Sequence, residues 1–487
     1  MVLYKRLVKA YLNTLLLISN IPVFSNKVEK MIKKNDILEL YIDEITYGGD
    51  GIGKIEGFPI FVPDSAPEDL VKVEIISSSK SYAKGRIVEI IKPSKYRVET
   101  RCPLAKVCGG CQWQHVQYDM QLKAKKKIVK DNLKKIAHLD IPINDVIQAP
   151  ENLEYRCKVQ YPVRQTKVSR KYLVGYFKKG THEVVNIKYC PVQPDIIDKI
   201  TEFVREKMQE LRINSYNEKT KKGLIRHIVY RCSKTNNNLL AIIVINDKYI
   251  SDAVKELCIS IKNKFPEVQG ALLNFNRSGS NVILGNDYKL VAGKDSIEEV
   301  LNGKIFKISA GSFFQVNPAA AAGMFGYVHE IISKRHENAS ILDVYAGVGS
   351  FAIWLKDIAS TITAIEENPI AVKDAFENIE LNKEIPGADI KMIEGTADNI
   401  LQKLVEEGQK YDITILDPPR KGCSKEALDT LVELTREYII YVSCNPATLA
   451  RDLQLLSDNF IPEFVQPVDM FCHTYHIESI AVLRKLD

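Results

Sequence analysis

From about residue 340 onward, short apolar runs alternate with stretches of helical period. Ile341–Tyr345, Thr361–Ile365, Ile390–Ile393, Asp412–Leu416 and Tyr438–Ser443 read as strands. Between them, Phe351–Lys356, Ile370–Leu381, Asn399–Glu407, Lys425–Glu433 and Thr448–Asp458 place apolar residues on one helical face. Alternation of this kind predicts an α/β fold with a doubly wound parallel sheet, closed by two more strands around Phe464–Asp469 and Ile477–Leu483. Residues 36–92 have another rhythm. Candidate strands Ile37–Ile42, Pro59–Val62, Leu70–Ile76 and Gly85–Ile91 are separated by Gly49–Gly53 and Asp64–Glu68, which predicts a small β-barrel of four or five strands. The stretch between is mixed, with a basic helix over Tyr118–Ala137, strands at Leu224–Tyr230 and Leu239–Ile245, and a strand pair at Ala271–Asn276 and Val282–Leu284. The pattern divides the chain into an extension (1–30), a β-barrel (31–92), an α+β unit (93–305) and an α/β unit (306–487).

A chain of 487 residues has room for these several cores. No apolar run reaches the roughly 18–20 residues of a membrane helix. The net charge of +6 is mild, but residues 84–135 hold 14 basic against 4 acidic residues, and residues 158–188 hold 8 against 1. Two such blocks favour a polyanionic partner over a merely solvated face. Lys5, Arg6 and Lys9 before Tyr11–Ile18 resemble a secretory leader, yet Asn13 and Asn20 interrupt the apolar stretch and no small-residue cleavage site follows. The first 30 residues are expected to be an extension, and the protein is expected in the cytoplasm.

Ten cysteines are too few for a disulfide scaffold in a chain this long. Three of them, Cys102, Cys108 and Cys111, cluster around Gly109-Gly110, which points to metal. A fourth ligand could come from Cys157, Cys190, Cys232 or Cys258, and spacing alone admits zinc or an iron–sulfur cluster.

The first strand of the α/β unit ends in Leu342-Asp343-Val344-Tyr345-Ala346-Gly347-Val348-Gly349-Ser350-Phe351. Its glycines allow a tight turn and close approach of a ligand, and Glu366, 19 residues after Gly347, stands where an acid can bind ribose hydroxyls. Ala352 replaces the third glycine of the dinucleotide fingerprint, so a nucleoside cofactor such as S-adenosylmethionine fits at least as well as NAD. The fourth strand ends in Asp417-Pro418-Pro419-Arg420, with Asp417 available to a polar base edge. The fifth ends in Ser443-Cys444-Asn445-Pro446, placing Cys444 beside a helix N-terminus that favours a thiolate. Cys423 and Cys472 are competing thiols.

With Phe313-Phe314-Gln315-Val316-Asn317 and His476-Ile477-Glu478-Ser479, these segments occur in the order that resembles the RNA (uracil-5-)-methyltransferase family, specifically the branch acting on 23S ribosomal RNA. The resemblance covers residues 36–487, and its N-terminal barrel resembles the TRAM domain, an OB-like RNA-binding module. It implies Cys444 as nucleophile and Glu478 as base. It also implies Gln315, Tyr345, Glu366, Asp398 and Asp417 as residues of the cofactor and active site. By the same resemblance Cys190, in Tyr189-Cys190-Pro191, joins Cys102, Cys108 and Cys111 around a [4Fe–4S] cluster rather than zinc. The implied partners are S-adenosylmethionine and 23S rRNA, with the enzyme a monomer. Transfer RNA is the less favoured substrate because that branch usually lacks both barrel and cysteine cluster.

The chemistry accounts for these residue types. C5 of uracil is a poor nucleophile until a thiolate adds at C6, and a carboxylate is then needed to remove the C5 proton after methylation. A uridine in folded RNA must leave its stack to reach such a pocket. Lys123, Lys125, Lys126, Lys127, Lys130, Lys134 and Lys135, preceded by Trp113, His115 and Tyr118, read as a phosphate-tracking surface with stacking groups. Two other readings compete. An amino-directed methyltransferase would usually carry an aromatic where Arg420 stands. A catalytically idle iron–sulfur RNA-binding protein would have no use for Cys444 and Glu478 together.

Overall fold

The computed structural model describes residues 32–166 and 168–486, so the expected extension lies outside the described residues. Strands β1 (Ile37–Tyr41), β2 (Glu44–Ile45), β3 (Gly51–Ile55), β4 (Phe58–Val62), β5 (Leu70–Ser78) and β6 (Ala83–Lys92) form one sheet in the order β1-β5-β6-β4-β3-β2. Alternate residues Val71, Val73 and Ile75 of β5 turn inward onto Leu40, Ile42, Ile60 and Val62. The sheet has six strands because Gly51 and Gly53, expected in a turn, belong to β3. A Cβ on Gly51 would lie 2.0 Å from Ser65 Oγ and one on Gly53 2.1 Å from the Tyr41 carbonyl, so these glycines serve close backbone approach within the sheet.

The central sheet comprises β7 (Lys158–Gln165), β8 (Tyr172–Val174), β9 (Ile225–Cys232), β10 (Leu239–Ile245), β11 (Val268–Phe275) and β12 (Asp287–Gly293), ordered β12-β11-β10-β9-β7-β8. The expected strand at Val282–Leu284 does not form. Asn276 Nδ2 binds the carbonyls of Val282 and Ile283 at 2.7 and 2.9 Å, which takes the acceptors a ladder would need. A hairpin of β13 (Ser296–Leu301) and β14 (Lys304–Ser309) leads into the C-terminal unit.

That unit contains β15 (Ala339–Val344), β16 (Ala359–Glu366), β17 (Asp389–Glu394), β18 (Tyr411–Leu416), β19 (Thr435–Ser443), β20 (Phe460–Val468) and β21 (Glu478–Lys485). Their order is β17-β16-β15-β18-β19-β21-β20, parallel through β19, with β21 antiparallel to both neighbours. Every strand and helix expected here is present. The order reverses between β15 and β18, which creates the crevice where open α/β sheets bind ligands.

The basic stretch forms helix α1 (Tyr118–Asn132) and a π-turn over Leu133–Ala137. It packs on the C-terminal sheet, where Val129, Leu133 and Ala137 share a core with Leu416, Leu449 and Phe460. Ile143 and Ile147 then bridge to Val465 and Val468 along β20. Lys125 is fully buried against Asp469 at 2.5 Å, and Lys127 pairs with Glu44 and Asp131. The expected stacking groups are likewise structural: Trp113 is buried and donates to the Gly49 carbonyl, His115 meets the Ser65 carbonyl, and Tyr118 donates to Asp469. Lys123, Lys130, Lys134 and Lys135 remain exposed. Among the described residues no helix is long and apolar enough to cross a membrane.

Candidate active site

Register brings the motifs together. Val344 pairs with Leu416, and Leu416 with Tyr441, so Tyr345 and Asp417 leave adjacent parallel strands at the same edge. Ser443 of β19 lies opposite Ser479 of β21. Because that pair is antiparallel, Cys444 leaves the sheet where Glu478 enters it.

The glycine loop is held in an unusual conformation. Tyr345 has φ +68°, Gly347 +57° and Gly349 +81°, and a non-glycine residue in this region is a sign of a constrained functional loop. No atom lies within 4 Å of a Cβ built on Gly347, so that side of the loop is open. Glu366 fixes the loop by accepting from Gly347 N at 2.9 Å and from Asn368 N at 2.8 Å. Asp343 accepts from Ala352 N at 3.2 Å with one oxygen, while its other oxygen is buried without a partner. Burial first, and then Asp417, push the Asp343 carboxyl up to about 7. Asp398, exposed at the start of the helix Ala397–Glu406, accepts from Ser424.

Gln315 Nε2 reaches Asp417 Oδ2 at 3.4 Å, joining the Phe313–Asn317 segment to the edge of β18. Burial raises the Asp417 carboxyl to about 7, and burial together with Asp417 raises Glu478 well above the ordinary carboxylate range. One oxygen of Glu478 is buried without a partner. The expected thiolate at Cys444 is not favoured in this state: burial and the carboxylates Glu478 and Asp417 push the thiol up to about 12, and Arg420 opposes them. The helix that follows, Pro446–Leu456, is capped by the Asn445 side chain, which accepts from Ala447 N. Of the competing thiols, Cys423 is buried against Tyr441 and Cys472 is buried near Tyr118 and Asp469, away from the Cys444–Glu478 edge.

Three residues at the site were not foreseen. Arg420 followed directly from the Asp-Pro-Pro turn and could have been read as the counter-charge of the thiol. Asp343 sits within the glycine motif itself. Tyr47 gave no sequence signal. It comes from the β2–β3 turn, packs edge-on against Tyr475 at 5.3 Å, and lies close enough to Arg420 and Cys444 for their charges to act on its hydroxyl.

Cys102, Cys108, Cys111 and Cys190 line one small, mostly apolar cavity, closed by Tyr176, Ile187 and Val192. The loop carrying three of them is stitched to the strand after β8: Cys108 bridges to Lys178, and Gly109 N donates to the Phe177 carbonyl. Gly110 N points at Cys108 Sγ at 3.4 Å. Burial pushes the Cys108 thiol up to about 11 and raises the other three as well. Cys157, Cys232 and Cys258 are buried in the core and do not line this cavity.

An acidic edge of Asp343, Glu366, Asp417 and Glu478 on a seven-stranded doubly wound sheet suits a positively charged nucleoside ligand, which places the C-terminal unit among Rossmann-like methyltransferases. The chain matches the tRNA (Uracil-5-)-methyltransferase family over residues 117–486 and the TRAM domain over residues 33–88. It is 35% identical to an RNA methyltransferase of Oceanobacillus iheyensis over 463 residues, covering 94% of this chain and 98% of that one. It is 36% identical to an RNA methyltransferase of Caldanaerobacter subterraneus over 457 residues, covering 93% and 99%. The crystal structure of Pyrococcus abyssi tRNA (uracil-54, C5)-methyltransferase in complex with S-adenosyl-L-homocysteine superposes with a TM-score of 0.72 at 28% identity, covering 91% of this chain and 99% of that one. The chain therefore belongs to the RNA (uracil-5-)-methyltransferase family: it is an RNA uracil methyltransferase with an N-terminal TRAM domain, of a class that draws its methyl group from S-adenosylmethionine.

Proposed function

We propose that the protein methylates C5 of a uridine in 23S ribosomal RNA, with Cys444 as nucleophile and Glu478 as base. The observation that carries this reading is the placement of the two side chains on either side of the Ser443–Ser479 pair, at the edge that also holds Asp417 and the glycine loop. Cys444 Sγ loses its proton to solvent and bonds to C6 of the flipped uracil, which leaves Glu478 ionised. The electron pair of the C5–C6 double bond is then available at C5, which takes the methyl group from the donor sulfonium as the carbon–sulfur bond of the donor breaks. Glu478 removes the C5 proton, the double bond re-forms, and Sγ leaves. A carboxyl group held above its ordinary range suits this base, and Arg420 beside the thiol stabilises the sulfur as its proton departs. Asp343, Glu366, Asp417 and Gln315 would hold the donor and the uracil edge, and the unpartnered Asp343 oxygen supports a cationic donor. The TRAM sheet contributes Tyr47 to the rim, where RNA beside the flipped base would lie.

The four cysteines would hold a [4Fe–4S] cluster. The four cysteines line one small, mostly apolar cavity, and an all-thiolate donor set in such surroundings suits an iron–sulfur cluster. Such a cluster would brace the loop Cys102–Cys111 against the β8 region, and methyl transfer requires no electron from it.

The P. abyssi tRNA enzyme aligns with 91% of this chain, so architecture does not by itself choose ribosomal over transfer RNA. The deciding experiment is release of tritium from C5-labelled uridine in 23S rRNA and, separately, in tRNA transcripts, with wild type and Cys444→Ala. Release from 23S rRNA that needs both donor and Cys444 is expected. Release from tRNA alone moves the substrate, and methyl incorporation without tritium release overturns attack at C5.

A further inference from the structure

Lys158 of β7 and Arg231 of β9 stand directly opposite one another in an antiparallel pair, so both side chains leave the central sheet on the same face. Arg231 is only 3% exposed, and its Nε and Nη2 meet no acceptor among the described residues. Asp374 is the acid whose charge reaches Arg231, but its oxygens already accept from Ser309 N, Ser309 Oγ and Ser312 Oγ. Burial beside Arg231 pulls the Lys158 ammonium down to about 7. A buried guanidinium with two unsatisfied donors facing a second cation destabilises the sheet that carries it unless something negative is bound between them.

Their position says where such a ligand would sit. The amide of Cys157 donates to the Val316 carbonyl at 2.7 Å, tying the start of β7 to the segment that carries Gln315. Lys158 Nζ lies 6.0 Å from the centre of the Phe313 ring, which is 55% exposed. Lys158 thus stands beside the segment that carries Gln315 into the cleft with Asp417, and Arg231 faces Lys158 across the sheet.

We infer that Lys158 and Arg231 form an oxyanion subsite of this cleft, taking either a phosphate of the RNA backbone beside the flipped uridine or the carboxylate of the methyl donor. The inference rests on the proposed function for the identity of its ligands, while its test reads binding and needs no turnover. A planar guanidinium and an ammonium on facing strands suit three-oxygen and two-oxygen anions alike. Both chemistries are present in the two substrates.

The test uses the full-length holoprotein and three variants: Lys158→Gln, Lys158→Arg and Arg231→Lys. S-adenosylhomocysteine, 5′-methylthioadenosine (which lacks the carboxylate) and a fluorescent ten-nucleotide oligouridylate serve as probes. If a phosphate is the ligand, Lys158→Gln weakens oligouridylate binding about tenfold and lowers the slope of log K against log salt by about 0.7, with S-adenosylhomocysteine binding unchanged. If the donor carboxylate is the ligand, Lys158→Gln weakens S-adenosylhomocysteine about tenfold and leaves 5′-methylthioadenosine untouched. In both cases Lys158→Arg restores most of the affinity, and the ligand-free Lys158→Gln protein melts no lower than wild type, because one of two facing charges has gone. Affinities for all three probes within twofold of wild type in both Lys158→Gln and Arg231→Lys would overturn the subsite. A wild type that shows these binding effects yet releases no tritium would leave the subsite standing and remove the proposed reaction instead.

Discussion

The Arg420 guanidinium faces the Cys444 sulfur and pulls its pKa down against burial, Glu478 and Asp417. The thiol is thus set by opposed charges at one point, and each can be removed separately. Arg420→Met is expected to move the pH midpoint of Cys444 alkylation by iodoacetamide upward, and Glu478→Gln to move it downward. Cys444→Ala serves as the blank. Movement of both variants in the same direction would contradict the arrangement.

Glu478→Gln keeps the proposed nucleophile, Cys444, and removes the proposed base. Turnover should fall by about 10²–10⁴-fold, and RNA should accumulate bound to the protein through a thioether that survives denaturing electrophoresis. Cys444→Ala should give neither turnover nor adduct while still binding S-adenosylhomocysteine. An adduct formed by Cys444→Ala would assign the nucleophile elsewhere.

Asp343 makes the ligand-free protein sensitive to pH. Its carboxyl is raised from about 4 in the unfolded chain to about 7 in the fold, so the folded state binds the extra proton. The resulting stability is full below about pH 4 and is lost as pH rises through about 7. Binding of a cationic donor favours the ionised form, so S-adenosylmethionine affinity should rise over the same interval. Thermal unfolding and calorimetric titration between pH 5.5 and 8 on wild type and Asp343→Asn check the two statements, since the variant should lose the part of the pH dependence that Asp343 contributes and keep the part due to Asp417.

The α/β unit was readable because its strands are buried on both faces and its helices keep a strict period, so each element announces itself locally. The sulfur and the acid at the edge of β19 and β21 were found through residue order and resemblance, and register then placed them side by side. Other features depend on contacts far along the chain. The helix α1 looked like a phosphate-tracking surface, and nothing in its sequence marks Lys125 as the partner of Asp469, 344 residues away. Gly51 and Gly53 carry the composition of a turn, and only their neighbours Ser65 and Tyr41 explain a strand. The charge state of Cys444 escaped prediction for the same reason: the helix N-terminus and the acids Glu478 and Asp417 were visible in the sequence, but the burial of the sulfur beside them was not.

Lys125 and Asp469 are both 0% exposed, and Tyr118 adds a hydrogen bond to the same carboxylate. Lys125→Met leaves a buried acid unpaired and should destabilise the protein by about 3–5 kcal/mol. The replacement of both, Lys125→Met with Asp469→Leu, should recover part of that loss. Denaturant unfolding of the two variants measures the difference.

Substitution of Cys108 by Ser should bleach the broad absorbance near ~400 nm that anaerobic wild type is expected to show, and should lower the iron content. Because its loop bridges to Lys178, proteolysis around Cys102–Cys111 should accelerate in the same variant. A colourless wild type with one zinc per chain would replace the cluster by zinc.

β21 is the last strand of the chain, yet it lies between β19 and β20 and carries Glu478 as its first residue. β20 is therefore made before the strand that separates it from β19, and the sheet has a gap at this edge until the closing segment threads into place. The sulfur and the acid become neighbours only when the segment that follows β20 turns back and inserts beside β19, so assembly of this edge is the last step in closing the sheet.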